Sequence, residues 1–316
     1  MNRRKKKGRN LTRGKRANTS LSNRVPPSLE TKHGAVTGLT NPFSSQARGA
    51  RIPDDDSAFS TTFQLRTLVN LTTIGNQAAI AINPNPSGIF KQATAHVGNT
   101  VTTWGALQPP ADIAAFNANF SKYRIVSYGV RFYSTVAPLN MSGEYRAVVM
   151  QALATDGIVI DGNMWNSVVN DTASGLDLHY IAKPSGVDWK EYTALGNDAD
   201  YDTLAVLFNG LPPAGTYPSS ISCEIVMNLE VLTVTASAMS VMAKPGSTHD
   251  PLVLQAASRV HAKHKGIQKS GSSFFQRLGG FAKDALLDIA ASAVPFAGGA
   301  ARRIFGGSPS YPMIVD

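Results

Sequence analysis

With 316 residues, 43% of them hydrophobic and only 16% charged, the chain is long enough for one large domain or two small ones built on a core. Its single cysteine excludes an intramolecular disulfide framework and any cysteine-rich zinc module, and no apolar run reaches the roughly 18 residues of a membrane span. The formal net charge of +9 comes from one end: residues 1–29 hold ten Lys or Arg and no acid, leaving 20 basic against 21 acidic residues elsewhere.

That first zone, with its run "NRRKKKGRNLTRGKR", has no aromatic residue and only Leu11 and Leu21 as large apolar side chains before Val25. It repels itself and has little to bury, so it is expected to stay disordered until it meets a polyanion. Arg3, Arg4, Lys5, Lys6, Lys7, Arg9, Arg13, Lys15 and Arg16 are the candidate nucleic-acid contacts. They would neutralise phosphates and release counterions, which gives strong, salt-sensitive binding without reading sequence. A nuclear or nucleolar targeting tract is an equally good reading of the same charge and is compatible with it. Without aromatics the arm offers no base stacking. The charged start and the lack of a following apolar stretch argue against a secretory signal.

Residues 30–57 read as a Gly, Ser and Pro linker without a period, one that could be ordered in some copies and not in others. The "DDD" at 54–56 reads as a solvated turn or a contact to a basic neighbour. Residues 58–236 are dense in β-branched and aromatic residues. The runs at 59–73, 122–136, 143–153, 202–210 and 219–236 alternate or are short and apolar, as strands do, with weaker candidates at 88–103 and 175–192. In the last strong run Ile221, Cys223, Ile225, Met227 and Leu229 alternate with Ser222, Glu224 and Asn228, which makes Cys223 an inert strand residue. Short helices are expected at 110–120 and 162–171. About eight strands with long loops and few helices predict an all-β fold, a single antiparallel sandwich.

From Ser237 to Asp316 the chain turns Ala- and Gly-rich. An amphipathic helix is expected over about 272–294, with Phe274, Phe275, Leu278, Phe281, Leu286 and Ile289 on its apolar stripe, a Ser at its start and Pro295 at its end. It suits docking against another copy; a wide apolar face also suits transient membrane contact. Residues 243–316 carry nine basic and four acidic side chains. "HAKH" at 261–264 lacks the further ligands of a zinc set, and neither a G-x-S-x-G elbow nor a Gly-rich phosphate loop occurs, so no enzyme active site is expected.

The stretch "FNANFSKYRIVSYGVRFYST" resembles the second long strand of small icosahedral RNA-virus coat proteins of the tombusvirus, sobemovirus and nodavirus kind. The matching positions are Phe120, Tyr123, Arg124, Val130, Arg131 and Phe132. "SGEYRAVVMQALATDG", "DYDTLAVLFNG" and "CEIVMNLEVLTV" resemble later strands of that family, and the likeness covers roughly 58–236. The resemblance implies a jelly-roll shell domain, a many-copy assembly of the chain with itself, viral RNA bound by the arm, and a place in the virion with assembly in the host cytoplasm. It also implies calcium between subunits, for which Asp156, Asp161, Asp198 and Asp200 are the candidates, a solvated acidic loop being the alternative. The tail is too poor in strand pattern for a protruding domain. A non-capsid nucleic-acid-binding β protein, such as an RNA chaperone or silencing suppressor, is the competing reading.

Overall fold

The computed structural model describes residues 36–150, 169–263 and 267–269, apart from residues 40, 55, 57, 174, 175, 186, 187 and 248. The strand-rich zone yields β1 (Ser60–Asn70), β2 (Gln77–Ile82), β3 (Phe90–Val97) and β4 (Thr100–Trp104), then the short helix α1 (Ile113–Asn119). After it come β5 (Phe120–Ser134), β6 (Glu144–Met150), β7 (Val169–Thr172), β8 (Asp177–Ile181), β9 (Thr193–Ala194), β10 (Thr203–Asn209) and β11 (Ile221–Thr233). A second helix, α2 (Pro251–Lys263), and a short β12 (Ile267–Lys269) close the described chain.

The strands form two antiparallel sheets. One runs β1-β11-β5-β8-β12 with β9 on β5, and the other runs β4-β3-β2-β10-β6-β7. Within them lie the two four-stranded sets β1-β11-β5-β8 and β2-β10-β6-β7, the strand order of a jelly roll. The all-β jelly-roll expectation is therefore correct. The strands beyond eight are the β3–β4 hairpin, β9 and β12, which decorate the roll.

Alternation aims one side of each sheet into the shared core. From β1, Phe63, Leu65 and Val69 point inward, and from β11 Ile221, Cys223, Ile225, Met227 and Leu229 do the same. Aromatic residues fill the middle: Phe132 stacks near Phe208 at 5.8 Å, and Phe63, Phe116 and Phe120 form a triangle with centroids 4.9–5.8 Å apart. Buried tyrosines find carbonyl partners. Tyr123 donates to Asn197 O at 2.6 Å and Tyr201 to Ile125 O at 3.0 Å, so burying their hydroxyls costs little. Gly143 (φ 99) closes the turn before β6, where an added Cβ would lie 2.1 Å from Asn209 O.

Some elements differ from the sequence reading. β2, "QAAIAI", was not among the expected strands because Ala78–Ile82 are buried on both faces and show no alternation. Its outer side joins Ala205, Leu207, Val148, Ala93 and Val101 in a second small core under the β3–β4 hairpin. The helix expected over 162–171 gives way at Val169–Thr172 to β7, whose ladder with Glu144–Ala147 satisfies its backbone groups; residues 162–168 lie outside the described residues. Residues 36–54, read from composition as a linker, lie against the sheet with Val36, Leu39, Ala47, Ala50 and Ile52 buried.

Candidate functional site: the sheet face beneath the terminal segments

The outward side of β1, β11 and β5 carries polar residues in cross-strand rows. Register places Leu68 opposite Glu224 and Glu224 opposite Arg131, then Gln64 opposite Asn228 and Asn228 opposite Ser127, then Glu230 opposite Arg124. Alternation alone would leave these residues in water, yet Glu224, Asn228, Glu230, Ser127 and Arg124 are all buried. Residues 36–54 cross this face and cover Ser127, Asn228, Arg124 and Glu230, while Glu224 is shielded by Arg66 and Arg131. At the centre the sheet offers no side chain and the Pro42 and Phe43 side chains pack on Gly129, where a Cβ would come within 3.0–3.2 Å of them. Asn228 fixes the crossing by donating to Pro42 O at 3.0 Å and Ser127 Oγ at 2.8 Å while accepting from Gln64 at 2.8 Å.

Arg124 holds the far end of the segment. Its guanidinium donates to Glu230 Oε2 from Nε at 3.1 Å and Nη2 at 2.8 Å, to Asp54 through both terminal nitrogens, and to Lys190 O at 2.9 Å. Glu230 in turn accepts from Ser60 Oγ and from the Ile52 N–H at 3.2 Å. Burial by itself would lower the Arg124 pKa, but Glu230 and Asp54 outweigh it and hold the guanidinium above its ordinary value. The Tyr192 ring packs 4.5 Å from the guanidinium carbon. Of the two readings given to "DDD", Asp54 is a contact to a basic neighbour.

The chain after β11 returns to the same place. Ser60 and Lys244 exchange backbone hydrogen bonds of 2.9 and 2.8 Å, and Arg51 donates to Pro245 O at 2.9 Å and Ser60 O at 2.7 Å. Gly246 passes so close to Asp56 that a Cβ would sit 1.8 Å from its carbonyl oxygen. Asp250 then caps α2 through the Val253 N–H, and Val253, Leu254 and Ala257 pack over Leu39, Ile52, Val126 and Trp189. Both terminal segments thus share one face of one sheet.

The other end of that face is open. Glu224 there pairs with Arg66 at 2.5 Å and Arg131 at 2.8 Å, and beside them a pocket of about 130 Å³ is lined by Phe43, Arg48, Gln64 and Val226 as well. Sequence reasoning missed this cluster, since its members are scattered from 43 to 226 and share no motif.

Of the candidate site residues, the nine arm cations, Asp156, Asp161 and the apolar stripe from Phe274 to Ile289 lie outside the described residues. Asp198 and Asp200 are exposed on either side of buried Ala199; Asp198 accepts from Asn85 Nδ2 at 3.0 Å, and Asp200 O accepts from the Ser185 N–H at 2.9 Å. Among the described residues no group of three or more His, Cys, Asp or Glu is placed to share a metal ion. Among the same residues no helix is long and apolar enough to cross a membrane.

The sequence matches no protein-family model and no curated protein. Solved structures do share its fold. The T13 particle structure of infectious bursal disease virus aligns over 84% of this chain and 99% of that one, at 11% identity and a TM-score of 0.55. The fold is that of a virus-particle protein. A mutant VP2 protein of the same virus, in derived T=1 particles, aligns over 80% of this chain and 96% of that one, at 13% identity and a TM-score of 0.54. The structure of that virus's Gx strain aligns over 79% and 99%, at 11% identity and 0.53. At these identities the likeness is one of fold, and it spans the whole jelly roll.

Proposed function

We propose that the chain is the coat protein of a small icosahedral virus, that it closes into a shell with copies of itself, and that residues 1–29 package the RNA genome. The observation that carries this reading is the jelly-roll strand order, shared with virus-particle structures across 84% of the chain. The site geometry supports it. The described chain begins at residue 36 on the outward face of β1-β11-β5, and α2 leaves from the same face. The ten cations of residues 1–29 therefore join the fold at that face. A shell built with that side inward concentrates cationic tethers on its contents, and counterion release then retains RNA of any sequence.

Subunit contacts fall to the edges and loops, where Leu139, Val97 and Val241 are exposed large apolar residues. Calcium bridging between copies through exposed Asp198 and Asp200 belongs to the same reading, and chelation should then loosen particles without unfolding subunits. The helix of 272–294 would dock beneath the shell, with membrane contact at entry as its other use.

Negative-stain microscopy and sedimentation of the purified chain test the assembly: closed particles are expected. A monomer or dimer at every salt concentration would overturn it in favour of a non-capsid nucleic-acid-binding β protein. Deleting residues 2–24 should remove the RNA content while circular dichroism still reports the sandwich. Full packaging by the truncated chain would refute the role of the arm.

A further inference from the structure

We infer that the folded domain carries a polyanion contact of its own: the pocket between Arg48, Arg66 and Arg131 receives a phosphodiester group of the nucleic acid that the arm gathers. This deepens the packaging role and rests on the pocket's face being the inward one.

Three observations carry it. The first is where the charge lies. Residues 30–242 hold only 11 basic against 17 acidic residues, yet three of those 11 cations line this one opening, whose sole carboxylate is Glu224. The pocket is locally +2 on an acidic domain.

The second is hydrogen-bonding capacity left over. Glu224 is committed through both oxygens, Oε1 to Arg66 and Oε2 to Arg131. Among the described residues Arg48 has no ion-pair or hydrogen-bond partner for its side chain, and Arg131 Nε is buried without an acceptor. Neutralising Glu224 needs one arginine; two pair with it, and a third, Arg48, lines the same pocket with its donors uncommitted. A guanidinium presents a planar fork that fits a phosphate oxygen pair, so the spare donors match a tetrahedral oxyanion.

The third is access and shape. The pocket, about 130 Å³, is open to solvent, with the Arg66 and Arg131 side chains 59% and 40% exposed. Its wall is Phe43, whose ring lies 5.8 Å from the Arg131 guanidinium carbon and holds it in place. Phe43 and Arg48 come from the covering segment and the other lining residues from the sheet, so the site exists only where the segment is seated. The contact would be to backbone phosphate, without base readout.

The test uses the full chain with its nine candidate arm cations replaced by Gln, at concentrations below those that give particles by sedimentation. Binding of a labelled single-stranded RNA oligomer is followed by fluorescence anisotropy over a salt series. Residual binding is expected, and adding Arg48→Gln should weaken it several-fold and reduce the slope of log K against log salt by about 0.7, one phosphate's worth for a single strand. Arg48 is exposed and unpaired, so its replacement should leave the thermal melt unchanged. Excess inorganic phosphate should weaken binding by the parent and have less effect on the Arg48→Gln chain. Equal affinity and slope for the two, or no binding by either, would overturn the pocket and show a salt-bridge network only. Particle formation by the unaltered chain is read separately, so loss of the pocket leaves the capsid reading standing, and the converse holds.

Discussion

Replacing Arg124 by Met removes the one cation that faces two carboxylates beneath the covering segment. The Glu230 side chain is fully buried and that of Asp54 is 18% exposed. Without Arg124, Glu230 Oε2 loses donors at 3.1 and 2.8 Å and keeps only the Ile52 N–H at 3.2 Å. Breaking a buried pair by deleting one partner costs about 3–5 kcal/mol, because the other charge is left without solvent or counter-ion. That is a large share of the roughly 5–15 kcal/mol that holds a domain together. At about 2–4 °C per kcal/mol for a domain of this size, the melt of the unassembled subunit should fall by about 6–20 °C. Removing Glu230 as well, as Arg124→Met with Glu230→Leu, should recover much of the loss, since the stranded charge goes with it and Asp54 can turn to water. Thermal unfolding of both variants, followed by circular dichroism, gives the comparison. A single variant melting within about 2 °C of the native chain, or a double variant no better than the single, would refute the view that charge compensation is what Arg124 provides.

Gly129→Val should unseat the covering segment, since its side chain would enter the 3.0–3.2 Å gap now filled by Pro42 and Phe43; faster tryptic cleavage at Arg48 and Arg51 with an unchanged β signal is the expected result. Burial lowers the pKa of His96 from 6.5, and among the described residues neither ring nitrogen has a hydrogen-bond partner. Below that value the unfolded chain binds a proton that the folded one refuses, so stability is present above 6.5 and is lost as pH falls toward the folded pKa. His96→Phe should therefore lose less melting temperature than the native chain between about pH 7 and pH 5, and identical slopes would contradict this. Burial, and then the nearby Glu224 charge, raise the Cys223 thiol well above its usual range. A thiol reagent should leave it untouched until the chain unfolds, and rapid labelling of the native protein would contradict the packing described.

The motif Phe120, Tyr123, Arg124 illustrates what was legible in advance and what was not. Its apolar members, Phe120 and Tyr123, both enter the core, although three residues apart; an irregularity in the β5–β11 ladder between them turns both inward. Arg124, marked in the sequence only as a position of that motif, is the fully buried anchor of residues 52–54. Ser222, Glu224 and Asn228 read as the wet side of β11, and all three are buried. Periodicity reports which side of a strand is apolar; it does not report whether another segment later covers the polar side. β2 went unread for the opposite reason, since both its faces are buried and an Ala-rich run leaves no period.

The sequence alone determined the β character, the inward sets of β1 and β11 and the acid-free concentration of ten cations in the first 29 residues. These follow from neighbours along the chain, where side-chain alternation and like-charge repulsion act locally. Only the tertiary structure decided which charges meet and that both terminal segments share one sheet face. Asp54 is 70 residues from Arg124 and Glu230 is 106 residues from it; strand register pairs Arg124 with Glu230, and the crossing of the covering segment brings Asp54 to them.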